Sequence, residues 1–575
     1  MRWGSIIALC WVAAPLLLLS QGIATRNAKP TARGAFSGLP FPAKFEDVAR
    51  IAGLSAATDY GEPEKKTYIV ETVGCGVALL DFDGDGWLDI LQLGGGRFGA
   101  TGSPTPKLYR NQKDGTFRDV SAGSGFQPRS WSSSVSLGDF DQDGRDDLFV
   151  TYWGENALYR NLGEGRFQDV TAEAGLLHRE NRWGAGSAFL DYDRDGDLDL
   201  FVATYLRFHP DQVPLPGANL FCRFQNIPVN CGPRGLPAGR GWLYRNNGDG
   251  TFTDVSNQTG IAAAKGSYLM SVTAADLDQD GWLDLYVAGD STPSLFFRNR
   301  RDGTFEEIGL EAGVAVNEDG TEQAGMGVAA GDFNLDGLLD LFKTHFADDT
   351  NVLYRNDGKG NFADVTLSAG LGVETRFTGW GAAIADLDND GLPDIVYVTG
   401  SVYPEVQAKL PQYPFRTPRV VFRNLGGGRF EQLIGEAGAG IAATHSSRGL
   451  AVGDIDNDGD LDLVAVNLHE APSLLLNQLN QPGTAAAMGR NWLKLTLKGK
   501  RAGTPVGATA VFRYGGRRQA VLVGSQASFY SVHDARINIG LGSASEADVK
   551  IHWPNGRVSE HRALGANREH VIAEP

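Results

Sequence analysis

Cysteine is scarce in this chain, 4 in 575 residues, and so are methionine, also 4, and histidine, 9. No Cys-x-x-Cys and no Cys/His zinc spacing occurs, which excludes zinc ribbons, fingers and thioredoxin-like redox motifs. Gly-x-Ser-x-Gly and His-Glu-x-x-His are both missing, so two common hydrolase signatures are absent. Positive charge is in deficit. Against 69 Asp and Glu stand 52 Lys and Arg, a formal net charge of −17. That balance argues against a nucleic acid or an anionic membrane as partner. Beyond the first 24 residues no apolar run approaches the ~18 residues of a spanning helix.

Glycine, by contrast, is abundant, at 75 residues with no collagen-like period. With 42% hydrophobic residues, the chain reads as a globular protein of many short strands joined by turns. Residues 1–24 have the form of a secretory signal: Arg2, an apolar stretch from Ile6 to Leu19, and Gly22-Ile23-Ala24 as a small-x-small cleavage site. The mature chain is therefore expected outside the cytoplasm: secreted, periplasmic or at the cell surface. Export permits a disulfide. Cys222 and Cys231, close together in one Pro-rich insertion, are the expected pair, with Cys75 left as a buried thiol.

Internal repetition organises the rest. Seven loops share one spacing of aspartates. The first is Asp81, Asp83, Asp85, Trp87 and Asp89 at positions 1, 3, 5, 7 and 9, with Gly86 at position 6. The second holds Asp139, Asp141, Asp143, Arg145 and Asp147. The third holds Asp191, Asp193, Asp195, Asp197 and Asp199. The fourth holds Asp276, Asp278, Asp280, Trp282 and Asp284. The fifth holds Asp332, Asn334, Asp336, Leu338 and Asp340. The sixth holds Asp386, Asp388, Asp390, Leu392 and Asp394. The seventh holds Asp454, Asp456, Asp458, Asp460 and Asp462. Carboxylates at 1, 3, 5 and 9 with a backbone carbonyl at 7 suit a hard cation, and the glycine permits the turn. Up to seven calcium ions are expected, in a structural role. Asn334 keeps an oxygen but loses a charge, so the fifth loop is expected to bind more weakly.

Two further motifs keep step with the loops. One is an apolar-aromatic-Arg-Asn strand end, as in Leu108–Asn111, and the other is Phe-x-Asp-Val, as at Phe117. Each repeat then reads as four short strands, the unit of a propeller blade. The first Phe-x-Asp-Val, at Phe45, precedes the first loop, and none follows the last loop. The N-terminal strand is therefore expected to complete the seventh blade and remove an exposed edge.

The loops resemble the FG-GAP or VCBS repeats of integrin-alpha-like propellers. The accompanying Phe-x-Asp-Val and Tyr-Arg-Asn strands are similar to those of the cartilage acidic protein family. Asn491-Trp492-Leu493, Gly507-Ala508, Gly540-Leu541-Gly542 and Trp553-Pro554-Asn555-Gly556 resemble the ASPIC/UnbV domain that those proteins carry. The expected fold class is all-β: a seven-bladed β-propeller with calcium loops followed by a small β domain. The boundaries read as signal 1–24, linker 25–43, propeller 44–477, linker 478–490 and ASPIC/UnbV-like domain 491–575. The resemblance implies a calcium-binding interaction module for a protein or glycan, not a known reaction. The alternative is a calcium-rich carbohydrate-active propeller similar to a polysaccharide lyase.

A binding face is expected at the channel mouth opposite the aspartate loops. Trp183, Trp380, His345, His469, Arg448 and Asp290 are its candidates, because aromatic and Arg side chains favour such sites. On the enzymatic alternative, Asp290 with His345 or His469 would be the acid/base pair.

Overall fold

The computed structural model describes residues 22–575 apart from 100–105, 128, 179–181, 265, 482–488 and 502. Almost all of the expected signal lies outside the described residues. The chain is all-β: the longest helices described are the four-residue turns Val70–Val73 and Ala439–Ala442.

Seven four-stranded antiparallel sheets are built one per repeat. In the first, Val77–Leu80 leads through the aspartate loop to Asp89–Gln92, then to Lys107–Asn111 and Phe117–Asp119. The last sheet takes its fourth strand from the other end of the array, with Phe45 opposite Asn477 and Asp47 opposite Leu475. The first strands of successive sheets pack side by side, and Val77–Leu80 packs in turn against Ser447–Gly453 of the last sheet. These inner strands do not alternate apolar and polar residues. Ser132–Gly138, Gly184–Leu190 and Leu269–Ala275 are buried at every position, because both faces and the inner edge are covered.

The asparagine at the same place in the third strand of each sheet joins neighbouring sheets. Asn161 Nδ2 donates to the carbonyl of Phe82 in the preceding sheet, Asn246 to Phe140, Asn299 to Tyr192, Asn356 to Leu277, Asn424 to Phe333 and Asn477 to Leu387. Asn111 donates to Ile455 of the last sheet, so the series returns to its start. Every acceptor is the second residue of an aspartate loop. A strand-end motif thus fastens each unit to the one before it.

Residues 25–43, expected to be linker, are tied down across the array. Arg26 pairs with Asp349 at 2.8 Å, the Ala28 N–H donates to the Asp348 carbonyl, and Arg423 reaches the Leu39 carbonyl at 2.8 Å. The Cys222 and Cys231 sulfurs lie 2.10 Å apart, and Cys75 is a buried free thiol.

Residues 491–575 form a two-sheet sandwich. A three-stranded sheet contains Asn491–Lys498, Ile537–Gly542 and Glu569–Ala573, and a four-stranded sheet contains Thr509–Tyr514, Arg517–Leu522, Glu546–His552 and Val558–Gly565. Leu493, Leu495, Phe512, Val549 and Ile551 fill the space between them. This domain is docked on the loop side of the repeats, and residues 525–534 thread into the centre of the array. There the backbone carbonyls of Ser525, Tyr530, Ser528 and Val532 accept the N–H groups of Leu137, Val135, Val328 and Leu79. Gln526 Oε1 accepts from the Val272 N–H, Ser528 Oγ from Ala382 and His533 Nδ1 from Val452. One loop therefore satisfies inner-edge amides from six of the seven sheets.

Candidate metal centres and the filled channel

Each aspartate loop is curled by two left-handed residues. At position 6, Gly86, Gly144, Gly196, Gly281, Gly337, Gly391 and Gly459 have φ between +81° and +94°, where a Cβ is strained. Position 4 is left-handed as well, even where it is not glycine, as at Leu335 with φ +63°. The curl turns the carboxylates inward. In the second, third, fourth and sixth loops the oxygens at positions 1, 3 and 9 lie within 4.8 Å of one another, as do those at positions 1, 3 and 5 of the first loop.

Position 9 has a second duty. Asp89 accepts the N–H of Asn111 at 2.8 Å on one oxygen and that of Phe82 at 3.3 Å on the other. The same pair of bonds recurs at all seven loops, ending with Asp462 and the amides of Asn477 and Ile455. This aspartate therefore links the loop, the strand end and the staple to the next unit.

Burial, with neighbouring carboxylates adding to it, pushes these groups up: Asp89 to about 8, Asp139 and Asp191 to about 7, Asp199 and Asp340 to about 9. Such crowding calls for a compensating positive charge. Part of it comes from the chain itself. Arg110 Nη2 lies 2.6 Å from Asp83, and Arg160 Nε 2.6 Å from Asp141. From the C-terminal side, Arg490 reaches Asp388 at 2.6 Å, and Lys494 Nζ reaches Asp454 at 2.5 Å with both side chains buried.

One test of fit to a cation is independent of spacing. Asp83, Asp141, Asp191, Asp276, Asp388 and Asp456 each present a buried Oδ1 with no hydrogen-bond partner among the described residues. An orphaned acceptor of this kind is costly unless an ion or water meets it. Six loops supply one. The fifth does not: Asn334 Nδ2 there donates to Asp336 Oδ2 at 2.8 Å. The donor sets of six loops fit a hard cation, and the fifth is the poorest.

The expected binding face is not an open face. Trp183 is 1% exposed, Trp380 2%, His345 1%, Asp290 4% and Arg448 0%, and the His469 side chain is nearly as covered. The reason is the threaded loop together with segments that close the far mouth. Trp380 packs edge-on against Phe529 at 4.9 Å and lies under the Arg448 guanidinium at 4.1 Å. Arg448 donates to the carbonyls of Thr72, Ser447 and Ser401, tying three segments over the channel. Burial without a carboxylate partner lowers its pKa to about 9.

The acid/base pair does not assemble either. Asp290 is bound by the Tyr205 hydroxyl at 2.6 Å and Ser291 Oγ at 2.7 Å. His345 Nδ1 meets the Thr350 carbonyl at 2.8 Å, and His469 Nε2 meets Lys66 Nζ at 2.8 Å. Burial first and Lys66 second lower His469 to about 4.

The residues that sequence reasoning missed are small. Gly76, Ser134, Gly186, Ser271, Gly327, Gly381 and Gly449 stand at the same position, five ahead of each loop's first aspartate. A Cβ on Gly76 would lie 1.7 Å from the Tyr530 carbonyl oxygen. This row of small side chains admits the threaded loop, and its regularity is visible in the sequence.

The FG-GAP-like repeat family matches residues 81–150, 139–202, 235–287, 276–343 and 344–397, and the ASPIC and UnbV family matches residues 499–575. The chain belongs to the FG-GAP-like repeat proteins that carry an ASPIC and UnbV domain. It is similar to human cartilage acidic protein 1, 26% identical over 329 residues, which span 56% of this chain and 45% of the human protein. The mouse protein of the same name is 26% identical over 299 residues, 50% of this chain and 42% of that one. The alignments thus span less than half the length of these curated relatives. Among solved structures, BBS1N from its complex with ARL6DN superposes loosely, with a TM-score of 0.39 and 11% identity over 77% of this chain and 99% of that one. In this FG-GAP-like repeat protein the ASPIC and UnbV domain is the part that fills the channel. No described helix is long and apolar enough to cross a membrane.

Proposed function

We propose that this protein is a secreted interaction module whose propeller is locked by calcium. The orphaned Oδ1 atoms in six aspartate loops carry the reading, since each is a buried acceptor awaiting a cation. Calcium would be held by the carboxylates at positions 1, 3, 5 and 9 and would supply charge compensation rather than chemistry. Position 9 passes that compensation to the staple asparagine, so ion binding stiffens the junctions between units. The FG-GAP-like repeats and the likeness to cartilage acidic protein 1 support an interaction role. With both channel mouths closed, the partner surface lies on the exterior, where the ASPIC and UnbV domain meets the loops. Nothing in the geometry favours the lyase-like reading, because its acid/base groups are buried apart.

Calcium removal tests this. Linkage gives about 2.7 kcal/mol per site when calcium stands 100-fold above its Kd. Excess EGTA should lower the melting temperature, and calcium, not magnesium at equal concentration, should restore it. An ion count by mass spectrometry should find the fifth loop weakest. A melt unmoved after prolonged chelation, in protein shown to be ion-free, would refute the structural role.

A further inference from the structure

The four-stranded sheet of the ASPIC and UnbV domain turns one face to its own core and the other to the repeats. Phe512, Val549 and Ile551 point inward, and the alternate residues Arg513 and Lys550 point outward. That outer face does not close onto the loops beneath it. A cavity of 520 Å³ remains, walled by the sheet and floored by the fourth and fifth aspartate loops with Arg194 of the third. A second cavity of 1150 Å³ adjoins it, over the second and third loops, and shares Arg194, Pro554 and Arg557 with the first. The two form one elongated cleft along the domain junction.

The sheet wall of the smaller chamber is opposite in charge to the molecule, whereas the larger chamber, over the second and third aspartate loops, is lined by more carboxylates than cations. The chain carries −17 overall, yet Arg513, Arg518, Lys550, Arg557 and Arg562 line the sheet side. Arg513, Lys550 and Arg562 are exposed to the cleft and make no ion pair among the described residues. Register sets their spacing. Arg518 stands directly opposite Arg513, and Lys550 stands opposite Val511, two residues along from Arg513. Their Cβ atoms are therefore about 5–8 Å apart. Asp548 and Glu560 also line this wall, Asp548 directly opposite Arg513 and Glu560 directly opposite Lys550; neither forms an ion pair among the described residues, and one Asp548 oxygen accepts the Ala563 N–H at 2.9 Å. On the floor, Asp276 and Asp280 belong to the fourth loop, where a bound cation would offset them.

A basic wall whose cations make no ion pair among the described residues, in an acidic protein, fits a polyanion, and the adjoining chambers leave room for a linear one to pass. We propose that this cleft binds an anionic polysaccharide, carboxylated or sulfated, through Arg513, Lys550 and Arg562. This deepens the interaction-module reading and rests on it, but the three side chains act without the ion.

The test uses the full chain and three immobilised polymers: polygalacturonate, dextran sulfate and unmodified dextran, in about 0.15 M salt where loose surface attraction is screened. The wild type should retain one or both charged polymers and not dextran, and which of them binds separates carboxylate from sulfate recognition. The triple variant R513S/K550Q/R562Q should lose at least about tenfold in affinity, as expected for charge-assisted contacts, and keep the wild-type melt with and without EGTA. Failure of the wild type to bind either polymer, or undiminished binding by the triple variant, would overturn the proposal. So would complete competition by inorganic sulfate or free galacturonate at matched charge, which would mark a site for simple anions. Polymer binding that survives while the melt ignores EGTA would sink the calcium reading alone; an EGTA-sensitive melt with no polymer binding would sink this proposal alone.

Discussion

Phe529→Ala removes a ring that is 0% exposed and packed between Trp380, at 4.9 Å, and Tyr530, at 4.0 Å. Truncating a buried Phe to Ala costs about 3–5 kcal/mol. The cost falls on the threaded loop, because the ring is held by the channel and not by the core of the ASPIC and UnbV sandwich. The free energy needed to withdraw the loop should drop by the same amount. Hydrogen exchange reads this directly, since the amides of Leu79, Val135, Leu137 and Val328 donate to the loop's carbonyls. At ~1.4 kcal/mol per factor of ten, peptides covering Ser132–Gly138 should exchange roughly a hundredfold to a few thousandfold faster. Outer-strand peptides such as Phe117–Asp119 should be unchanged, which separates local withdrawal from global loosening. Equal exchange at Ser132–Gly138 in variant and parent would mean that the channel is not filled by this loop.

The staple predicts that Asn299→Ala, which strips buried bonds to the Tyr192 and Leu283 carbonyls, costs about 2–4 kcal/mol in urea unfolding, whereas Arg298→Ala, at the half-buried neighbouring position, costs under ~1 kcal/mol. Lys494→Met leaves the buried Asp454 carboxylate without its ammonium and should weaken domain docking by about 3–5 kcal/mol, read as a separate early transition in calorimetry. Deleting residues 25–50 removes the strand paired with Ser473–Asn477 and should lower the melting temperature and raise aggregation in light scattering; a truncated chain that melts like the parent would count against this pairing.

Much of the fold was legible because each repeat restates it. The phase of the Phe45 motif pointed to pairing with the strand after the seventh loop, and Phe45 stands opposite Asn477. The aspartate spacing pointed to clusters, and the carboxylates do converge. The binding face failed for a physical reason. Positions six ahead of the loops, Cys75, Ser133, Ala185, Met270, Met326, Trp380 and Arg448, vary in size and charge, as surface freed from packing would. All seven are buried. They vary because a ring of like units encloses one loop that has no such symmetry. Met270 must meet the Tyr530 hydroxyl, Trp380 must meet Phe529, and Ser133 must accept from Trp183 Nε1. Partners so distant in sequence leave no local pattern. The cleft was hidden for the same reason: its cations sit on one domain and its floor on another.

The pairing of Phe45–Asp47 with Ser473–Asn477 also dictates an order of assembly. During synthesis the first of these strands emerges hundreds of residues before its partner, and until then the last sheet cannot be completed. The loop at residues 525–534 emerges later still, so the inner-edge amides that it satisfies stay open to water while the repeats fold. A nascent chain of this kind carries two unpaired strand edges and an empty bore for most of its translation, the condition in which β-proteins aggregate or pair with a neighbour. Its final step is an insertion from the C-terminal side, and a chain cut short before residue 525 would be left permanently at the stage before that step.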